Sequence, residues 1–108
     1  MEARTNEQLC ALAQAGDEQA VSRLIEDNLR FIRQTANQII GGPIRKRYLF
    51  SCGIETDDLI QAGSIGLWKA VSGCDLSSGT KFLTYAAPAI KRAMIDLIRQ
   101  YSRDAVWQ

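Results

Sequence analysis

The sequence predicts an all-α domain built as a compact bundle of four or five helices. Apolar residues recur at intervals of three and four along most of the chain, which is the spacing of helices with one buried face. The strand-like stretch around residues 48–50 has no partner strand. With 108 residues, of which 46% are hydrophobic and 23% charged, the chain is expected to form a single domain over residues 1–108.

The first helices are expected within residues 5–27. Thr5 and Gln8 have the spacing of a capping box, and a short amphipathic helix follows them. Gly16 is expected to end this helix and Asp17 to cap the next one. The helical spacing then continues to residue 40, either as one helix or as two helices with a break near Asn28. Residues 41–54 begin Gly-Gly-Pro and are expected to form a loop or a short helix.

A long helix over residues 57–72 organises the rest of the bundle. Thr56 is the expected N-cap. Asp57 and Asp58 lie in the first turn, where carboxylates interact favourably with the positive end of the helix dipole. Gly63 and Gly66 each cost about 1 kcal/mol relative to Ala, so we expect another helix to approach closely there. The residues expected to face the core are Ile60, Gly63, Leu67, Ala70 and Val71.

The outer side of this helix mixes polar and large apolar side chains. At intervals of three and four it carries Asp58, Gln61, Ile65, Trp68 and Ser72. Large apolar groups on an expected solvent face are typical of a protein-docking surface. The structural alternative is that Trp68 serves a contact between two copies of the chain.

The last helix is expected over residues 84–103, with Pro88 close enough to its start to be tolerated. Arg92, Asp96 and Arg99 suggest an ion-pair ladder on its outer side. Aromatic and cationic residues alternate near its start, which suits stacking of unpaired bases and binding of phosphates. These residues are Lys81, Phe82, Tyr85, Lys91 and Arg92. The alternative for the two aromatic side chains is packing in the core.

The net charge of +1 is unevenly distributed. Residues 1–28 carry −4, residues 29–54 carry +5, residues 55–78 carry −3 and residues 79–108 carry +3. Such blocks give either a basic face for nucleic acid and an acidic face for another partner, or a mixed solvated surface.

The residue types present argue against catalysis and metal binding. The chain has no His, and Cys10, Cys52 and Cys74 form no CxxC pair, so neither a zinc site nor a disulfide framework is indicated. There is no nucleophile elbow and no phosphate-binding loop, so we expect no enzymatic activity and no cofactor. We find no signal-peptide pattern and no membrane-spanning run, and we expect a cytoplasmic protein with no membrane contact.

The string DLIQAGSIGLWKAV, followed by GTKFLTYA and by a helix ending IRQYSRD, closely resembles region 2 of the sigma-70 family of bacterial RNA polymerase sigma factors. The start NLRFI at Asn28 resembles that family's first long conserved helix, so the resemblance covers residues of about 28–103. The Tyr-Ala-x-Pro pattern at Tyr85 to Pro88 is similar to sporulation-type alternative members, because housekeeping members carry a Trp pair where this chain has Pro88 and Ala89.

The resemblance implies a transcription initiation factor domain that binds core RNA polymerase and holds the melted minus-ten promoter element. The implied contacts with the clamp coiled coil of the polymerase are Asp58, Gln61, Ser64, Ile65 and Trp68. The implied contacts with the non-template DNA strand are Asn28, Arg30, Phe82, Tyr85, Lys91, Arg92 and Ile95, to which the basic pattern adds Lys81 and Arg99. We expect the family's downstream domains to be absent from residues 1–108.

The function of the domain and the role of one basic run each allow an alternative interpretation. A sigma-like interaction module could bind polymerase or an anti-sigma factor without reading DNA sequence. The run Arg45, Lys46 and Arg47 is either solvated or a contact with nucleic acid or polymerase.

Overall fold

The computed structural model describes residues 3–107, with side chains through Arg103. Met1, Glu2 and Gln108 belong to the expected domain but lie outside the described residues. Within the described residues the chain forms six α-helices and one short 3-10 turn: α1 (Asn6–Gln14), α2 (Glu18–Asp27), α3 (Leu29–Ile40), α4 (Pro43–Ser51), α5 (Thr56–Gly73), the turn Leu76–Ser78, and α6 (Phe82–Trp107). The all-α expectation is confirmed, with no strand in residues 3–107 and with six helices instead of four or five.

The two N-terminal helices form as the sequence indicates. The Thr5 hydroxyl accepts from the Gln8 N–H at 3.1 Å while the Gln8 side chain accepts from the Thr5 N–H at 2.9 Å. The Asp17 carboxylate accepts from the Gln19 and Ala20 N–H groups in the first turn of α2. Asn28 separates α2 from α3, so of the two alternatives the one with two helices is correct.

Helix α4 is the element that the sequence left open. Pro43 occupies its first turn, where the missing N–H costs nothing and the fixed φ favours the helix. Leu49 is its one buried side chain. The helix therefore lacks the apolar periodicity that reveals an amphipathic helix. Of the loop and the short helix that the sequence allows, the short helix forms, and Gly-Gly-Pro leads into its start.

Helix α5 is central and packs against α1, α2, α3 and, most extensively, α6. All five residues expected to face the core are buried, and so are Leu59 and Gly66. The expected N-cap is wrong by one residue, because Glu55 holds that position and Thr56 begins the helix. The Asp58 carboxylate accepts from the Glu55 N–H at 2.7 Å and so satisfies one of the free amides at this end.

The two glycines of α5 explain how closely α6 approaches. A Cβ added to Gly63 would lie 2.5 Å from Met94 Cε, and one added to Gly66 would lie 2.7 Å from the carbonyl oxygen of Ala89. Both distances are far below van der Waals contact. The expected close helix contact is therefore confirmed.

Side chains of α1 form hydrogen bonds with the C-terminal end of α5 and with the start of α6. The Gln14 amide donates to the carbonyl oxygens of Val71 and Cys74 at 2.7 and 2.8 Å, at the C-terminal end of α5. The Glu7 carboxylate accepts from the Phe82 N–H at 2.9 Å, at the first residue of α6. These side chains satisfy backbone groups that a helix end leaves free.

Candidate protein and nucleic-acid interfaces

The outer face of α5 exposes large apolar side chains. Ile65 is 50% exposed and Trp68 is 55% exposed, and Gln61 beside them is also exposed. These three residues lie on the side of α5 opposite the one that packs against the core. The structure therefore places them together on one surface, as the sequence predicts.

The other two residues of this set are partly engaged within the helix. Asp58 is half-buried and holds the Glu55 N–H. The Ser64 hydroxyl donates to the Ile60 carbonyl at 2.8 Å. Both lie on the same side of α5 as Gln61 and Trp68, but less of each side chain is available to a partner.

Trp68 also borders a groove of about 760 Å³ between the N-terminal helices and the C-terminal end of α5. No local sequence pattern marks this groove, because its walls come from positions far apart in the chain. Its lining residues are Ala13, Gln14, Val21, Trp68, Lys69, Val71, Ser72 and Cys74.

Cys74 lines this groove, and Cys10 lies next to Cys74. Cys10 and Cys74 are both buried, and the Cys10 thiol lies 3.8 Å from the Val71 carbonyl oxygen. Burial, together with the neighbouring Cys74, raises the pKa of the Cys10 thiol to about 11. Cys10 is therefore a protonated, unreactive core residue at neutral pH.

Phe82 is fully buried, so its expected role as a base-stacking residue is corrected. Its ring is part of the core, beneath the first turn of α6. A base cannot stack on it without opening that core. The alternative of core packing, which composition also allowed, holds for Phe82.

Tyr85 remains the accessible aromatic residue at the start of α6, with 43% of its surface exposed. A Cβ added to Gly73, the last residue of α5, would lie 2.7 Å from the Tyr85 hydroxyl. The phenol therefore rests against the end of α5, and the glycine leaves room for it. This contact holds an exposed ring in a defined position.

The loop before α6 is ordered by Asp75. Its carboxylate accepts from the Ser77 hydroxyl at 2.6 Å and from the Ser77 N–H at 3.0 Å. These two hydrogen bonds hold the pKa of Asp75 below its usual value. Gly79 then takes the left-handed conformation, with φ 79°, which leads the chain toward α6.

Basic residues follow Tyr85 along the outer side of α6. Arg92 and Arg99 are seven and fourteen residues after Tyr85, so all three lie on one side of the helix, and both arginines are exposed. Ile95 lies between them and is half-buried, and Lys91 is exposed beside Arg92. At 1.5 Å per residue, this row is about 21 Å long from Tyr85 to Arg99.

The expected ion-pair ladder on α6 does not form. Among the side chains described, the ion pairs within 4.0 Å are Arg23 with Asp27 and Lys81 with Glu7. Arg92 and Arg99 therefore keep their charge available to an anionic partner, whereas Lys81 lies 4.0 Å from a carboxylate.

Asn28 is also corrected as a DNA contact. It is 6% exposed, and its amide donates to the Leu24 carbonyl at 2.7 Å and to the Asn6 side chain at 2.9 Å. These bonds give it a structural role at the junction of α2 and α3. Arg30, two residues further along the chain, is exposed.

Within residues 3–107, no helix has both the length and the apolar character needed to cross a membrane. The described side chains bring together no group of three His, Cys, Asp or Glu residues that could hold a metal ion.

Comparison of the sequence with known proteins identifies a family. The model of sigma-70 region 2 matches residues 24–104. The chain is 36% identical over 97 residues to the RNA polymerase sigma-F factor of Bacillus subtilis (strain 168), covering 90% of this chain and 32% of that protein. It is 38% identical over 93 residues to the RNA polymerase sigma-G factor of the same organism, covering 86% of this chain and 30% of that protein.

The chain thus spans about a third of the length of these relatives. The family match includes the whole of α3, α4 and α5 and most of α6, which are the helices that carry the exposed apolar face and the basic row. The resemblance stated from the motifs is confirmed, and this chain belongs to the sigma-70 region 2 family.

Proposed function

We propose that this chain is a transcription initiation factor domain of the alternative, sporulation type that acts inside the cell. It docks on the clamp coiled coil of core RNA polymerase through the outer face of α5. It holds the melted minus-ten promoter strand along α6. The observation that carries the proposal is the pair of exposed apolar side chains, Ile65 and Trp68, on the outer face of the central helix.

The docking face has the character of a protein interface. Ile65 and Trp68 stand on a rigid helix whose opposite side is buried, so they are positioned before binding and lose little freedom on contact. Trp is among the residues that contribute most to binding when a partner buries it. Asp58 and Gln61 supply polar contacts at the edge.

The DNA-binding side depends on one aromatic ring and on cations. Tyr85 offers an exposed face to a base, and Lys91, Arg92 and Arg99 follow it for the phosphates. Arg30 is an additional exposed cation. Because Phe82 and Asn28 are buried, the base-contacting set is smaller than the resemblance implies.

The docking face is tested by titrating immobilised chain with core RNA polymerase. Trp68→Ala is expected to weaken binding by roughly 30-fold or more, as for a central interface Trp. Lys69→Ala is the matched control, because Lys69 is exposed on the neighbouring side of α5. Equal affinities for Trp68→Ala and the unmodified chain would refute docking through this face. If Trp68→Ala instead changes the oligomeric state, Trp68 serves a contact between copies.

The DNA-binding side is tested with a labelled single strand carrying a minus-ten-like sequence, with and without polymerase. Tyr85→Ala is expected to weaken binding about 5- to 150-fold, the range for loss of one stacked base, with Thr84→Ala as the control. Arg92→Ala should reduce the dependence of affinity on salt. A Tyr85→Ala chain that binds the strand normally, while still docking on polymerase, supports the second candidate, an interaction module that does not read DNA. The burial of Phe82 and Asn28 favours that candidate, and its partners are polymerase or an anti-sigma factor.

A further inference from the structure

A cleft of about 280 Å³ lies between α4, the end of α3 and the start of α5. Its floor is formed by four apolar residues that are each at least 94% buried: Ile40, Leu49, Ile54 and Leu59. Phe50 forms one wall and is 64% exposed, which is unusual for so large an apolar side chain. A cavity of about 150 Å³ is enough to hold benzene, so this cleft has room for one aromatic or long aliphatic side chain.

The cleft continues the docking face of α5. Asp57, on its rim, is four, seven and eleven residues before Gln61, Ser64 and Trp68. Residues at these intervals form one row along a helix, and eleven residues correspond to about 16 Å. A helix lying along this row for about three turns therefore reaches the cleft.

The charges around the cleft favour a protein over nucleic acid. Its rim carries Lys46 on α4 and the two carboxylates Glu55 and Asp57 at the start of α5. A phosphate backbone placed here would face both carboxylates, so the cleft repels a polyanion in spite of the cations of α4. A protein segment can present an acidic group toward Lys46 and a basic group toward α5, on either side of an apolar side chain.

We propose that this cleft accepts an apolar side chain from the same helical segment of core RNA polymerase that docks on the outer face of α5. Helix α4 thereby adds a second anchor to the interface, with Phe50 as its wall and Lys46 at its rim. The proposal rests on the proposed function, because it takes the docking of polymerase on α5 as given.

The test compares two exposed residues of α4 in the polymerase titration. Phe50→Ala removes the wall of the cleft and is expected to weaken binding about tenfold. Ile44→Ala is the matched control, because Ile44 is 87% exposed, lies on the same helix and does not line the cleft. Lys46→Glu is expected to weaken binding as well, through repulsion of the acidic group. Circular dichroism checks that each variant keeps its helices. We expect that it does, because the side chains of Ile44 and Phe50 are both exposed.

Each outcome separates this inference from the function it rests on. If Trp68→Ala weakens binding while Phe50→Ala does not, the α4 cleft is not an anchor and the docking face stands. If both variants bind normally, the proposed docking fails as a whole. Equal weakening by Ile44→Ala and Phe50→Ala would overturn the cleft in favour of a general contact with α4. If Phe50→Ala leaves polymerase binding intact but Arg47→Ala weakens binding of a 20-nucleotide single strand, α4 is a nucleic-acid contact and the inference is wrong.

Discussion

Gly66→Ala is the sharpest test of how the two functional helices are held together. The added Cβ would lie 2.7 Å from the Ala89 carbonyl oxygen and 3.1 Å from Ala93 Cβ. The nearest atom belongs to the backbone, so no side-chain rotation relieves the contact. Ordinary contact begins near 3.4 Å, so α5 and α6 must move apart locally by about 0.7 Å.

The cost follows from two opposing terms. Replacing Gly by Ala within a helix gains about 1 kcal/mol, whereas overpacking a well-packed contact costs about 1–3 kcal/mol. Because the backbone is the obstacle, we expect the upper part of that range and a net loss of about 1–2 kcal/mol. For a domain of this size, that corresponds to a melting temperature lower by roughly 5–15 °C.

Urea denaturation followed by circular dichroism measures the change in the free energy of unfolding. Gly63→Ala provides the comparison, because its nearest obstacle is Met94 Cε, the free end of a flexible side chain, although Ile32 and Ile90 also lie near. We expect Gly66→Ala to be the more destabilising of the two. A Gly66→Ala chain as stable as the original would show that the helices are not packed at the distance described.

Three further variants probe the site and the core. Gly73→Ala is expected to displace the Tyr85 hydroxyl and to weaken single-strand binding several-fold. Adding Tyr85→Phe should recover part of this loss, because the added Cβ lies at an acceptable 3.8 Å from the ring carbon Cζ of Tyr85. If the second change recovers nothing, the clash is not with the hydroxyl. Because the pKa of Cys10 is raised, folding favours its protonated form. The contribution of Cys10 to stability is therefore complete below pH 9 and is lost as pH rises toward about 11. Cys10→Ala should reduce the loss of unfolding free energy over this pH range, as measured by denaturation. Asn28→Ala should cost about 1–3 kcal/mol of unfolding free energy, since it leaves the buried Leu24 carbonyl and the Asn6 amide without their partner; a loss of DNA affinity at unchanged stability would restore Asn28 as a DNA contact.

Periodicity predicted α5 well because its two sides differ clearly in burial. The five inward residues are all buried, and Ile65 and Trp68 are exposed as expected. The glycines at 63 and 66 indicated a close helix contact because glycine is costly elsewhere in a helix. The exposed face that we propose for docking is therefore predictable from the sequence alone.

Other features depend on contacts between distant parts of the chain. Phe82 and Tyr85 are both aromatic and three residues apart, and only their packing shows that one is buried and the other exposed. Helix α4 buries a single side chain, so its sequence carries no helical pattern. The cleft beside it joins residues of three helices, and no local signal marks such a site.

The hydrogen bonds made by α1 bear on where this domain can be cut. The family match begins at residue 24, yet Glu7 holds the first amide of α6 and Gln14 holds the last carbonyls of α5. A fragment trimmed to the matched segment would keep every residue of the proposed interfaces and lose the groups that fix both helix ends. We therefore expect a fragment that begins before Thr5 to be more stable than one trimmed to the matched segment, and fragments for binding studies should begin there.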